Sequence, residues 1–387
     1  SPMKSPATKL LPALFCLLLA IRLQAAEEPA PSPLPAPVSN NAVAISHGQG
    51  GAKIYSFMGI GRKKTWDAVT TSAYELDVAT GKWKEIRPVP GVAGRLAASA
   101  VAVHDRVFIF GGYVIDAQGG ESTVSDLNIF VPAENRYYRG KDIPVPVQDA
   151  VAGLYRDRYI FLIGGWSTAE AGSKGAAVRN VQVYDTEKNT WVEATPIPGT
   201  PVFGHAGAIL GDTIVYVDGA YKNPYGNPKF PPSRECWMGK FPKRGDPTKI
   251  EWTNLPVHPG NARFRIAAGA GLAEKKDPRI YFSGGTDTPY DYNGIGYSGR
   301  PAEPSPVTFA FNVYTEQWET VEENTPEPAL QPARGQPTMS QPTMGQPTMD
   351  HRALLVTHAG NLVIVGGMQK NQQVTSQVTL VRLAPGK

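Results

Sequence analysis

The chain has 387 residues, of which 41% are hydrophobic and 19% charged, with a formal net charge of +4. Its charges are mixed rather than gathered into a basic stripe, which excludes a nucleic-acid surface. Two cysteines exclude a disulfide-stapled scaffold, and no segment after the N-terminal one has the length or apolarity of a membrane span.

In chain order, residues 1–26 read as a secretory signal. Lys4 and Lys9 supply the basic region, Leu10–Ile21 the apolar core and Ala25-Ala26 a small-residue cleavage point. The expected destination is therefore periplasmic or secreted. Cleavage removes Cys16 and three basic residues, leaving Cys236 as the lone cysteine and a net charge of +1. Residues 27–38 form a proline-rich tether. Its Pro33-Leu34-Pro35-Ala36-Pro37 is like Thr195-Pro196-Ile197-Pro198 farther on, so the N-terminus is expected to supply an edge strand that closes a ring.

From residue 39 to the end the chain repeats. FIFGG ends at Gly112, FLIGG at Gly165, VYVDG at Gly219, IYFSGG at Gly285 and VIVGG at Gly367, with a degenerate YSFMG ending at Gly59. The steps from Gly112 onward are 53, 54, 66 and 82 residues. Each unit has a run of small apolar residues, a polar turn, a β-rich run into the glycines, a variable loop, a third run, another turn and a final strand. Trp83, Trp191, Trp252 and Trp318 mark that strand, and Tyr137 substitutes in the second unit. A sandwich explains the β content but not the period. The pattern predicts an all-β, six-bladed propeller with four antiparallel strands per blade. The glycines and tryptophans are read as structure: turns at a crowded rim and packing between blades. Residues 326–350, with three copies of Gln-Pro-Thr-Met, read as a low-complexity insert loop rather than a methionine copper site.

Strand order places the long loops between second and third strands on one face, with the starts of the inner strands. There Arg95, Asp149, His205, Arg265, His351 and Arg352 are expected to converge on the channel mouth, a binding site suited to an anionic group. The loops add Trp166, Tyr221, Tyr290 and Tyr292, rings that suit a sugar, beside Asp287 and Asp291. His47, His104 and His358 fall in turns on the opposite face and read as turn residues. No metal-binding spacing occurs, so no metal and no cofactor are expected. Cys236 reads as a buried small residue, which argues against a copper-radical oxidase of the galactose oxidase type.

The glycine pairs with downstream aromatics resemble the kelch repeat. Six blades, an export signal, a proline-rich closing segment and the fourth-blade layout at Gly207–Gly219 and Trp252–Gly271 resemble the periplasmic N-acetylneuraminate epimerase (sialic acid mutarotase) family. That resemblance implies anomer interchange of a sialic or other acidic or amino sugar. It matches Arg234 to the family's arginine and implies Arg265 or Arg352 holding a carboxylate; the acid or base is expected at His205, or at Asp287 and Asp291, in a different geometry from the family's. The family's glutamate position is occupied by Ala220 or Tyr221. The alternative is a non-catalytic kelch module that binds a glycan or a protein partner.

Overall fold

A computed structural model describes residues 28–91, 93–169, 174–321 and 346–381. The expected signal segment and most of the Gln-Pro-Thr-Met insert lie outside these residues. The chain forms a six-bladed β-propeller whose blades are separate antiparallel sheets with strands in sequential order. Blade one comprises Ala42–Gly48, Gly51–Ile60, Val69–Asp77 and Lys82–Ile86. Blade two comprises Ser99–Val103, Arg106–Phe110, Leu127–Val131 and Arg136–Arg139, and blade three Val151–Tyr155, Tyr159–Ile163, Val181–Asp185 and Thr190–Ala194. Blade four uses Ala206–Leu210, Thr213–Val217, Cys236–Lys240 and Glu251–Leu255. Blade five uses Ala267–Ala270, Arg279–Ser283, Thr308–Asn312 and Gln317–Thr320. In blade six, Leu355–Val356, Leu362–Val365 and Val378–Val381 are described.

The glycine at the end of each second strand joins its blade to the next. Its N–H donates to a carbonyl of the following blade: Gly59 to Arg95, Gly112 to Val147, Gly165 to Val202, Gly219 to Arg263 and Gly285 to Thr348, at 3.0–3.3 Å. The sixth of these bonds, Gly367 to Val38 at 2.9 Å, seals blade six to the N-terminal segment. At Gly219 the φ of +84° and the approach of the Phe203 carbonyl to 2.8 Å of any Cβ leave no room for a side chain. The residue before it is Met58, Gly111, Gly164, Asp218, Gly284 or Gly366, always with φ between 54° and 73°.

The aromatic of each fourth strand makes a second recurring bond. Tyr137 donates through its hydroxyl to Arg87, and Trp191, Trp252 and Trp318 donate through Nε1 to Lys141, Thr195 and Pro256, each a carbonyl at the tail of the preceding blade. Trp83 donates to Ser32 at 2.9 Å. Ser32 thus stands where the tail of a fourth strand stands elsewhere. Leu34 and Val38 confirm the placement by donating to Ser376 and Thr375, just ahead of the last strand of blade six.

Between blades, the rings interdigitate. Trp191 packs edge-on against Phe110 of blade two, 5.8 Å between centroids. Trp191→Ala is expected to destabilise the fold by about 3 kcal/mol, the low end for such a truncation because the ring is half-buried. Trp191→Phe should cost only about 1 kcal/mol, the bond to Lys141. Urea unfolding of the two variants checks the order.

Candidate functional site

Each inner strand starts from a residue in the left-handed region: Asn40, Ala97, Asp149, Gly204, Arg265 and Asp350, with φ from 52° to 78°. Their backbones are linked around the axis. Ala97 N–H donates to Asn40, Asp149 to Ala97, Gly204 to Asp149 and Arg265 to Gly204, at 2.8–3.2 Å. For the five non-glycine residues this conformation costs on the order of 1 kcal/mol each, so the ring is a place where the fold holds strain.

A buried charge network rests on this ring. The Arg265 guanidinium meets Asp149 at 2.9 Å and Asp350 at 3.1 Å, and it lies over the rings of Phe264 and Tyr290 at 4.7 and 4.9 Å. Arg352 meets the other oxygen of Asp149 at 2.9 Å and donates to Asn40 at 2.7 Å. Ser39 and Asn40 donate to Asp350. Burial opposes the charge of Arg265, but Asp149 and Asp350 outweigh it and hold its proton above the usual range. Burial likewise opposes ionisation of Asp149, and Arg265 and Arg352 reverse the effect, holding it below the usual carboxylate range.

Above the network a cavity of about 200 Å³ opens between the long loops. Asp149 and Arg265 form its floor, and Tyr113, Trp166, Phe230 and Tyr297 contribute rings to its wall. Two short hairpins raise that wall: Tyr113–Ile115 with Glu121–Thr123 in blade two, and Trp166–Ser167 with Ala176–Ala177 in blade three. The blade-two hairpin brings Glu121 to Asp291 of the blade-five loop. The two carboxyls line the same cavity, with Gln148 beside them. Burial first, then repulsion by Asp291, push Glu121 up to about 8. Arg265 and Gln148 oppose that shift without cancelling it. Glu121 therefore keeps its proton at neutral pH.

Residues 152–198 match the kelch motif model. The chain is 25% identical over 240 residues to the Kelch-like protein terF of Aspergillus terreus, covering 49% of this chain and 51% of that protein. It therefore spans about half the length of that relative. It is 23% identical over 291 residues to an N-acetylneuraminate epimerase of Salmonella typhi, covering 66% of this chain and 69% of that protein. The solved structure of YjhT superposes with a TM-score of 0.67 at 16% identity, over 92% of this chain and 98% of that one. This chain is a kelch-repeat β-propeller, close to the N-acetylneuraminate epimerases.

Within this kelch propeller the residues singled out from sequence separate into two groups. Asp149, Arg265 and Trp166 line the cavity, and Arg352 and Tyr290 are buried directly beside its floor. Tyr292 follows Asp291 and packs against Ile60, Tyr113 and their neighbours. The others face elsewhere. Arg95 pairs with Asp126 of its own blade, beside Arg139, because its position lies ahead of the ring residue Ala97. His205 and His351 follow the ring residue, whose left-handed turn swings the next side chain toward the glycine pairs. His205 Nε2 lies 2.9 Å from the Ile163 carbonyl and His351 Nε2 2.8 Å from Thr348 Oγ1. Burial lowers both imidazoles to about 4. Arg234 donates to the Gly260 carbonyl at 2.9 Å, toward the connection into blade five, and Tyr221 packs on the core between blades three and four.

Glu121, Gln148 and Tyr113 carry no motif or spacing that singles them out in the sequence. The nearest signal to Glu121 is the turn Asp116–Gly120, whose two terminal glycines fold the hairpin that lifts Glu121 to the loop face. His47 and His358, assigned to separate turns, meet at 3.2 Å because blades one and six adjoin where the ring closes.

Proposed function

We propose that this kelch propeller binds a sugar in the loop-face cavity and interconverts its anomers, with Glu121 and Asp291 as the acid and base. The observation that carries the reading is the pair of carboxyls, Glu121 and Asp291, in one cavity walled by aromatic rings. The rings suit the apolar faces of a pyranose, and Gln148 and Lys174 supply polar contacts at the same cavity. In the reaction, Asp291 takes the proton of the anomeric hydroxyl while Glu121 gives its proton to the ring oxygen. The ring carbon–oxygen bond breaks and a carbonyl forms. Rotation about the adjacent carbon–carbon bond and reversal of both transfers recloses the ring as the other anomer, with no net proton change. A carboxyl pair sharing one proton is the state this step requires.

Both guanidiniums expected to hold a substrate carboxylate are already engaged by Asp149 and Asp350. The favoured ligand within the acidic and amino sugars is therefore a neutral N-acetylamino sugar, with Lys174 the cavity cation left to meet an acidic one. Thermal-shift measurements test binding: N-acetylglucosamine or N-acetylmannosamine should raise the melting temperature in a concentration-dependent way, and N-acetylneuraminate less so. A shift with the acidic sugar alone would overturn the ligand assignment. Export to the periplasm or the cell exterior belongs to the same reading and rests on the N-terminal sequence. Among the described residues no helix is long and apolar enough to cross a membrane.

Trp66, 52% exposed, and Tyr225, fully exposed, stand on the same face and favour a second reading, a protein- or glycan-binding module without catalysis. Absence of any sugar-induced shift would favour it.

Glu121 also ties stability to pH. Between its ordinary value of 4.5 and about 8, the folded state holds a proton that the unfolded chain has released. Stability from this group is therefore present at low pH and declines as pH rises through that window. Glu121→Gln should flatten the decline, which melting curves from pH 5 to about pH 9 measure.

A further inference from the structure

Blade four holds a second cluster, separate from the loop-face cavity and independent of the sugar reading. Asp218 follows the second strand at the position where four other blades carry glycine, Cys236 opens the third strand and His258 lies in the connection to blade five. A carboxylate oxygen, the thiol sulfur and an imidazole nitrogen lie within 4.8 Å of one another, and all three residues are buried.

The hydrogen bonds around them leave a position for a cation. His258 Nδ1 is 2.8 Å from the Pro259 carbonyl, which can only accept, so Nδ1 carries a hydrogen. Nε2 faces Asp218 Oδ2 at 2.7 Å, and that oxygen already accepts the Arg263 N–H at 2.8 Å. An imidazole lone pair opposite a carboxylate is repulsive unless a proton or a metal ion stands between them. Asp218 Oδ1 is buried with no hydrogen-bond partner. The Cys236 thiol lies 3.8 Å from the Arg234 carbonyl, a weak contact, and also faces the His258 backbone. The Arg263 guanidinium is turned away, donating to the Gly284 and Val307 carbonyls.

We propose that Asp218, Cys236 and His258 bind a divalent zinc-type cation that ties blade four to the connection into blade five. Nitrogen, oxygen and sulfur are the donor set such a cation takes, at about 2.0–2.3 Å, and the small movement needed lies within the cluster. One thiolate and one carboxylate neutralise a divalent charge, so the loaded site buries no net charge. The carbonyl on His258 Nδ1 orients the ring for ligation through Nε2, as the outer partners of metal-bound histidines do. A cavity of about 440 Å³ lined by Gly260, Asn261 and Arg263 adjoins the His258 connection.

The test uses the full chain stripped with a chelator, then given cobalt(II) or zinc(II) and passed through a desalting column. The expected result is stoichiometric cobalt retention with a thiolate-to-cobalt charge-transfer band in the near ultraviolet. Cys236→Ser should remove the band, and Cys236→Ser and His258→Gln should each cut retention by about tenfold or more. If these variants fold poorly, zinc added to the parent chain should slow modification of Cys236 by a thiol reagent by a similar factor, read on the Cys236 peptide by mass. Negligible retention by the parent, an unchanged cobalt spectrum in Cys236→Ser, or an unchanged modification rate at Cys236 would overturn the proposal.

Discussion

Glu121→Gln is expected to lower the rate of sugar anomer exchange by about two to four orders of magnitude, the usual contribution of a positioned acid or base. The substitution keeps the size and hydrogen-bonding capacity of the side chain while removing the proton it would deliver. Sugar binding should therefore survive, and the thermal shift with ligand should stay near that of the parent. Asp291→Asn should give the same pattern through loss of the base. In the parent, exchange should fall as pH rises through about 8, where Glu121 loses its proton. Glu121→Gln should remove that limb along with the rate. Exchange-spectroscopy NMR on each variant checks all three expectations. Loss of binding together with rate would instead assign Glu121 to ligand positioning.

Arg265→Ala is expected to destabilise the propeller by about 3–5 kcal/mol, the cost of breaking a buried ion pair by removing one partner. Asp149 and Asp350 are almost fully buried at 2% and 0% exposure, and without Arg265 they share the single cation Arg352. The sign with pH follows from Asp149. Arg265 and Arg352 hold it below its ordinary value, a stabilisation present above that value and lost as pH falls. Removing Arg265 lets the buried carboxyl take up a proton more readily, so the deficit should shrink on acidification. Urea midpoints near pH 7 and about pH 4.5 measure it. An unchanged midpoint at neutral pH would show that the ring of left-handed residues stands without its charge network.

The architecture was legible because its determinants are local and repeated. A glycine pair, a turn and an aromatic recur in register, and each sets a bond that recurs between blades, such as Gly219 to Arg263 or Trp318 to Pro256. The closing segment was legible for the same reason, since Leu34 occupies the place that Ile197 holds in blade three. The site was only partly legible. Asp149 and Arg265 reach the cavity because they sit at the ring position, but Arg95 and His205 flank it by two residues and one. The left-handed turn between those positions breaks the alternation that sequence reasoning relies on, so neighbours that look equivalent face different partners. Glu121 and Asp291 stand far apart in the chain, and only the curvature of the propeller brings their loops together.

The most direct measurement is exchange-spectroscopy NMR of a neutral N-acetylamino sugar, with and without the parent protein, at pH 7. The account predicts cross-peaks between the α and β anomers that grow with protein concentration and vanish with Glu121→Gln. Exchange at the spontaneous rate, while the same sugar still raises the melting temperature, would contradict it and leave a binding module.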